Sequence, residues 1–324
     1  MKRALLLPLA IAGSLAATHV PPLDIKEWEV PWERSRPRDP YVDRQERVWF
    51  VGQRSDYVAY LNPETGEFKR YELDPGTGPH TQIVDASGFV WYAGNRAQHI
   101  GRLDPEGGKI VKYPTPGARD PHSMAFDRAG DIWFTAQGGN KVGKLTVATG
   151  NVQILDVPTP NARPYGIAVD SKGRPWVALF NSNKLATVDP ATMQLREIPL
   201  PRAEVRPRRL VVTSDDKIWY GDYRGGMLGR YDPETGKVDE WPLPGGPGSE
   251  PYAVTVDGAD RVWLVETGSR PNRFVGFDTK QREWLDATVI PSGAGTVRNM
   301  VFDPRSQAIW FGTDANTIGR ALVP

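Results

Sequence analysis

The chain of 324 residues contains no cysteine. That excludes disulfide staples, thiolate catalysis and an anchor through a lipidated cysteine, so the fold must be held by packing. An excess of charge is also lacking: 40 Lys and Arg face 39 Asp and Glu, a net charge of +1. Such a balance gives no footprint for nucleic acid or an anionic membrane as the main partner. No apolar stripe of helical period survives past the first residues, and 33 Gly with 30 Pro interrupt every candidate helix. GxSxG, Walker and HExxH motifs are missing, which removes the serine-hydrolase, nucleotide and zinc-protease readings. The one long hydrophobic run, residues 4–15, is too short for a membrane span. It follows Lys2 and Arg3 and precedes small residues with an A-x-A-like site at Ser14-Leu15-Ala16, the order of a secretory signal. Residues 1–17 are therefore expected to be cleaved, leaving 18–324 as one periplasmic or secreted domain, not inserted in a membrane and monomeric.

What is present is a repeat. Trp49, Trp91, Trp133, Trp176, Trp219, Trp263 and Trp310 recur at intervals of 42, 42, 43, 43, 44 and 47 residues. Around each one, proline opens an alternating strand ending near Asp, an Asp-x-x-Gly turn follows, and then the strand that carries the tryptophan. Turns such as NPETG (62–66), DPEGG (104–108) and DPETG (232–236) connect a third strand to a fourth, proline fixing φ and glycine accepting positive φ. Four short strands in a period of about 40 to 50 residues predict an all-β, seven-bladed propeller of antiparallel blades. The last repeat stops without a fourth strand. Residues 25–31, IKEWEVP, resemble the fourth strands and are expected to complete that blade. A tryptophan repeated in every blade is read as packing between blades.

In a propeller the first strand of each blade lines the central channel, so residues at its start converge on one pocket. Reading that position blade by blade gives Tyr41, His80, His122, Tyr165, Arg208, Tyr252 and Arg298. Two imidazoles from adjacent blades suit proton transfer or metal binding. Asp120, two residues before His122, is placed to orient it or to hold a divalent cation. Gln137, Asp222, Glu266 and Asp314 follow their tryptophans by a few residues and are expected to approach the channel. Arg206, Arg208 and Arg209, with Arg298, form a basic group suited to a substrate carboxylate or phosphate.

The motifs Pro-[His/Tyr]-x-[Ile/Val/Met]-x-x-Asp, Gly-x-[Ile/Val]-Trp-[Phe/Tyr] and Ile-Gly-Arg-Leu resemble the streptogramin B lyase (virginiamycin B lyase) family over residues 26–324. The resemblance implies a lyase that opens a cyclic ester by elimination, with magnesium. Such chemistry needs a base beside a carbonyl and a positive charge on the developing enolate. In the family the second of two histidines belongs to a Glu-Pro-His motif, to which Asp120-Pro121-His122 is similar. By that resemblance His122 is the base, His80 touches the substrate or its enolate, and Asp120 is a metal ligand. Gln137 falls where the family has a further glutamate ligand, and Tyr252 and Arg298 fall where its active histidines lie. Tyr41, Tyr165, Arg208 and Glu266 would complete the substrate contacts. Two other readings stay open: a lactonase resembling the gluconolactonase-like propellers, with calcium held by Asp222, Glu266 and Asp314, and a non-catalytic module that binds a ligand or protein partner across a rim of Tyr41, Tyr165, Tyr252 and arginines.

Overall fold

A computed structural model describes residues 22–324; the expected cleavage at residue 17 lies outside them. Each period folds into one antiparallel sheet, and there are seven. Blades 1 to 6 open with the strands Pro37–Val42, Pro79–Val84, Pro121–Phe126, Pro164–Val169, Pro207–Val212 and Pro251–Val256. Blade 7 is Val297–Asp303, Ala308–Thr313 and Thr317–Leu322, with Asp24–Glu29 as its outermost strand. The register runs from Asp24 opposite Leu322 to Glu29 opposite Thr317, as expected from the sequence. First strands of successive blades touch in order, and those of blades 1 and 7 touch each other, which closes the ring. Blade 6 departs from the pattern: its fourth strand is split into Glu283–Trp284 and Thr288–Val289, both paired with Arg273–Asp278.

The tryptophans are core. All seven are at most 3% exposed, and they pack between blades with the valines, leucines and aromatics of the inner strands. In five blades an aspartate six residues earlier accepts the indole N–H: Asp43, Asp85, Asp127, Asp170 and Asp257 lie 2.7–3.2 Å from their indole nitrogens. In blade 5 the Thr213 hydroxyl takes that place, 3.2 Å from Trp219 Nε1. The same aspartate accepts turn N–H groups, so one side chain closes the hairpin and orients the tryptophan. In blade 7 the turn is one residue longer, Asp303 to Trp310. Asp303 bonds Ser306 and Arg305 instead, and Trp310 Nε1 finds no acceptor among the described residues.

Every first strand carries a β-bulge just after its opening residue, as between Pro79 and Gln82 or between Pro121 and Met124. The bulge breaks the alternation of faces, so in blades 1, 2, 3 and 5 two successive side chains, Arg38-Asp39, His80-Thr81, His122-Ser123 and Arg208-Arg209, are delivered to the axis. One set forms the channel mouth and the next forms a layer beneath it.

Candidate functional site

Register with the tryptophans defines the mouth as Arg38, His80, His122, Tyr165, Arg208, Tyr252 and Arg298, one residue per blade. Tyr41 does not belong to it. Blade 1 holds two Pro-X pairs, Pro37-Arg38 and Pro40-Tyr41, and it is Pro37 that pairs with Gly52 at the start of the strand. Tyr41 sits opposite Trp49, farther along the strand, beside a different cavity of about 370 Å³ lined by Asp85 and Phe126. A usable signal was present: His80, His122, Tyr165, Arg208 and Tyr252 each precede their tryptophan by 11 residues, as Arg38 does, whereas Tyr41 precedes Trp49 by 8.

The mouth opens into a pocket of about 350 Å³. His80, His122, Tyr165, Asp120, Gln137, Arg38 and Arg208 line it. The imidazoles of His80 and His122 are in close contact, centroids 3.5 Å apart with their planes tilted by 37°, and the Tyr165 ring lies against His122 at 4.2 Å and 56°. Beneath them lies a polar layer of Asp39, Thr81, Ser123 and Arg209. Arg209 crosses the axis, donating to Ser123 Oγ at 3.1 Å, to Asp39 Oδ2 at 3.3 Å and to the Arg298 carbonyl at 3.2 Å. Gly166 is where this layer needs the smallest residue, because a Cβ there would come within 2.8 Å of the Arg209 backbone.

That layer favours one tautomer for each imidazole. The Thr81 hydroxyl gives its single proton to Asp39 Oδ2, 2.6 Å away. Towards His80 Nδ1, at 3.1 Å, it then acts as the acceptor, which favours the tautomer with the hydrogen on Nδ1 and the lone pair on Nε2, while a further hydrogen bond ties the His80 ring to the His122 backbone. Ser123 Oγ is different: it accepts from Arg209, which leaves its own proton available to His122 Nδ1 at 3.0 Å. With Ser123 as the donor, a neutral His122 carries its hydrogen on Nε2. The mouth holds one imidazole that accepts and one that donates.

Both rings are neutral. Burial pushes the His80 imidazole well below its ordinary range, and Arg38, Arg209 and Arg298 push it further. His122 is lowered by burial, by His80 and by Arg209 and Arg38, with Asp39 working against them. Asp39 stays ionised: burial works against it, but Arg38 and Arg209 outweigh burial and hold it below the usual carboxylate range. At Tyr252 burial would raise the phenol, yet Arg208, Arg38, Arg209 and Arg298 prevail and lower it to about 7. Tyr165, hydroxyl to hydroxyl with Tyr252, is raised by burial and by that neighbouring charge.

The remaining sequence candidates divide cleanly. Asp120 lines the pocket, accepts from Asn95 Nδ2 and from the Gly138 N–H, and is raised by burial. Gln137 also lines it, with Oε1 taken by Arg163 at 2.6 Å. Glu266 is not a channel residue. It is fully buried behind the loop 245–249, accepting from Gly245 N at 2.7 Å and Ser249 Oγ at 3.2 Å and pairing with Arg273. Asp222 is likewise buried, pairing with Arg202 and accepting from Arg206 N, and Asp314 pairs with Arg298. Arg206 lies at the rim over Phe180.

These donors do not fit magnesium or calcium. Among the described residues no group of three or more His, Asp or Glu side chains is placed to hold a metal ion. Asp120 is the one carboxylate of the pocket, Gln137 brings no charge, and the acids proposed for calcium are each locked to an arginine.

Fold and site together define a seven-bladed propeller with a polar pocket at one channel mouth. The virginiamycin B lyase family matches residues 23–321, and the chain belongs to that family. A streptogramin B lyase structure is similar at 24% identity and a TM-score of 0.84, covering 94% of this chain and 98% of the other. Virginiamycin B lyase from Staphylococcus aureus is similar at 22% identity and a TM-score of 0.85, covering 93% and 100%. A catalytically inactive histidine-to-alanine variant of that enzyme, with quinupristin, gives a TM-score of 0.84. Comparison with curated proteins finds no match. No helix of the described residues is long and apolar enough to cross a membrane.

Proposed function

We propose that the protein is a lyase that breaks a carbon–oxygen bond in an ester substrate by elimination at the channel mouth. The observation that carries this reading is the pair of buried imidazoles in close contact, with Thr81 favouring a lone pair on His80 Nε2 and Ser123 favouring an N–H on His122 Nε2, in a member of a lyase family. His80 Nε2 takes the proton from the carbon next to a carbonyl. The electron pair forms the carbon–carbon double bond, the β carbon–oxygen bond breaks, and the oxygen leaves as a carboxylate. His122 Nε2–H donates to the carbonyl oxygen as it becomes an enolate. The roles expected from the family resemblance are thus exchanged between the two histidines.

The cationic field at the axis works on both partners. It weakens His80 as a base, but it also favours the enolate, which brings a full negative charge into a site containing Arg38 and Arg209. The test is turnover of a panel of cyclic and linear esters in water labelled with oxygen-18. Elimination leaves the label out of both products and creates an unsaturated chromophore. His80→Ala should reduce kcat by about 10²-fold or more while the fold is retained. Label in the product, or full turnover by His80→Ala, refutes the reading.

A further inference from the structure

Arginine is over-represented around the pocket. Arg36, Arg38, Arg163 and Arg208 line it against the single carboxylate of Asp120. Two of their nitrogens are buried with no hydrogen-bond acceptor among the described residues, Arg38 Nη2 and Arg208 Nε, whereas Arg36 Nε faces Asp314 Oδ1 at 3.6 Å. Arg38 is only 3% exposed. Its Nε is held by Asp39 at 3.0 Å and its Nη1 by Gln53 at 3.0 Å, so the free Nη2 is fixed in place beside the pocket. Arg208 is fixed differently, by aromatic faces. Its guanidinium lies 3.5 Å from the Tyr252 ring centroid, 4.3 Å from Tyr223 and 4.8 Å from Phe180.

A charged donor without an acceptor is expensive to bury, and a guanidinium held rigid before binding loses little freedom when it binds. The fork of a guanidinium matches two oxygens of a carboxylate or phosphate. We propose that the channel mouth holds an oxyanion site, in which Arg38 and Arg208 grip a carboxylate or phosphate group of the substrate beside the two histidines. Its description as part of a substrate rests on the lyase reading; the anion site itself does not. The same field outweighs burial and lowers the Tyr252 phenol to about 7, so a bound oxyanion, by offsetting that field, should shift it back towards the protonated form.

The test is calorimetric titration of the purified protein near neutral pH with inorganic phosphate and, separately, with acetate. The phenolate band of tyrosine is followed in the near ultraviolet. One anion should bind per chain, the phenolate band should fall with saturation, and Arg208→Gln should weaken binding by about tenfold or more. Arg38→Gln should do the same. If its removal from Asp39 unfolds the protein, Arg208→Gln alone decides, because that guanidinium has no carboxylate partner to strand. Tighter phosphate assigns a phosphate ester and tighter acetate a carboxylate. No binding of either anion, or undiminished binding in a folded Arg208→Gln variant, overturns the proposal. The readout is binding, so failure of the lyase reading leaves this result intact, and the converse holds.

Discussion

Two positions of the same repeat, 11 residues apart in six blades, follow opposite rules. One is tryptophan seven times over; the other is Arg38, His80, His122, Tyr165, Arg208, Tyr252 and Arg298. The tryptophan position meets seven nearly equal environments between blades, so one packing solution serves all of them. The mouth position meets a single shared pocket from seven directions. A ligand without sevenfold symmetry needs a different group from each direction, and divergence among the copies marks that requirement. Identity within a repeat therefore reports packing, and variety at a convergent position reports a site.

A dispensable tryptophan, or a mouth that serves only structure, would contradict these two rules. Trp133 is fully buried and makes its bond to Asp127. Trp133→Ala should lower stability by about 3–5 kcal/mol, measured by urea denaturation followed in the far ultraviolet. A loss below about 1 kcal/mol would remove tryptophan packing as the basis of the ring.

A smaller effect sharpens the other half. His80 and His122 are buried neutral, with folded-state ionisation lowered from the ordinary imidazole range. The unfolded chain then binds more protons than the folded one below about pH 6.5, so stability is complete above that value and is lost as pH falls below it. Each histidine contributes up to about 1.4 kcal/mol for every unit of pH in that window. Denaturation of the His80→Gln/His122→Gln double variant should show a flatter decline between about pH 6.5 and about pH 5 than the parent protein. Equal slopes would mean that the rings are charged or solvated in the native state.

The blades were legible because the tryptophan and its turn are local: the aspartate, the glycine turn and the indole lie within a few residues. The N-terminal strand was legible because a fourth strand was missing and one similar segment was left over. The mouth was legible for six of seven blades, and Arg38 was missed because a second Pro-X pair three residues later imitates the first. Glu266 was misplaced because its environment is made by Gly245 and Ser249, in the loop before its own blade, which no spacing from Trp263 reveals. The tautomers depend on Thr81, Ser123 and Asp39, small polar residues that gain meaning only when bulges bring blades 1, 2 and 3 to one axis.

The exception within the identical set gives the finest test. Trp310 has the burial of its six counterparts and stacks on Trp28 with centroids 5.6 Å apart, but its N–H lacks the carboxylate or hydroxyl that the other six enjoy. If the tryptophans act through packing, with the aspartate bond as a separate addition, the two contributions separate by substitution with phenylalanine. Trp49→Phe removes packing volume and the 2.7 Å bond to Asp43, whereas Trp310→Phe removes packing volume alone. Denaturation should show Trp310→Phe to be less destabilising by about 1–2 kcal/mol, the contribution of a hydrogen bond to a charged acceptor. Equal losses would mean that the Asp43 carboxylate, still bound by Arg47 at 2.7 Å and by the turn N–H groups, is indifferent to the indole. The aspartate would then serve the hairpin, and the orientation of each tryptophan would come from the neighbouring blade.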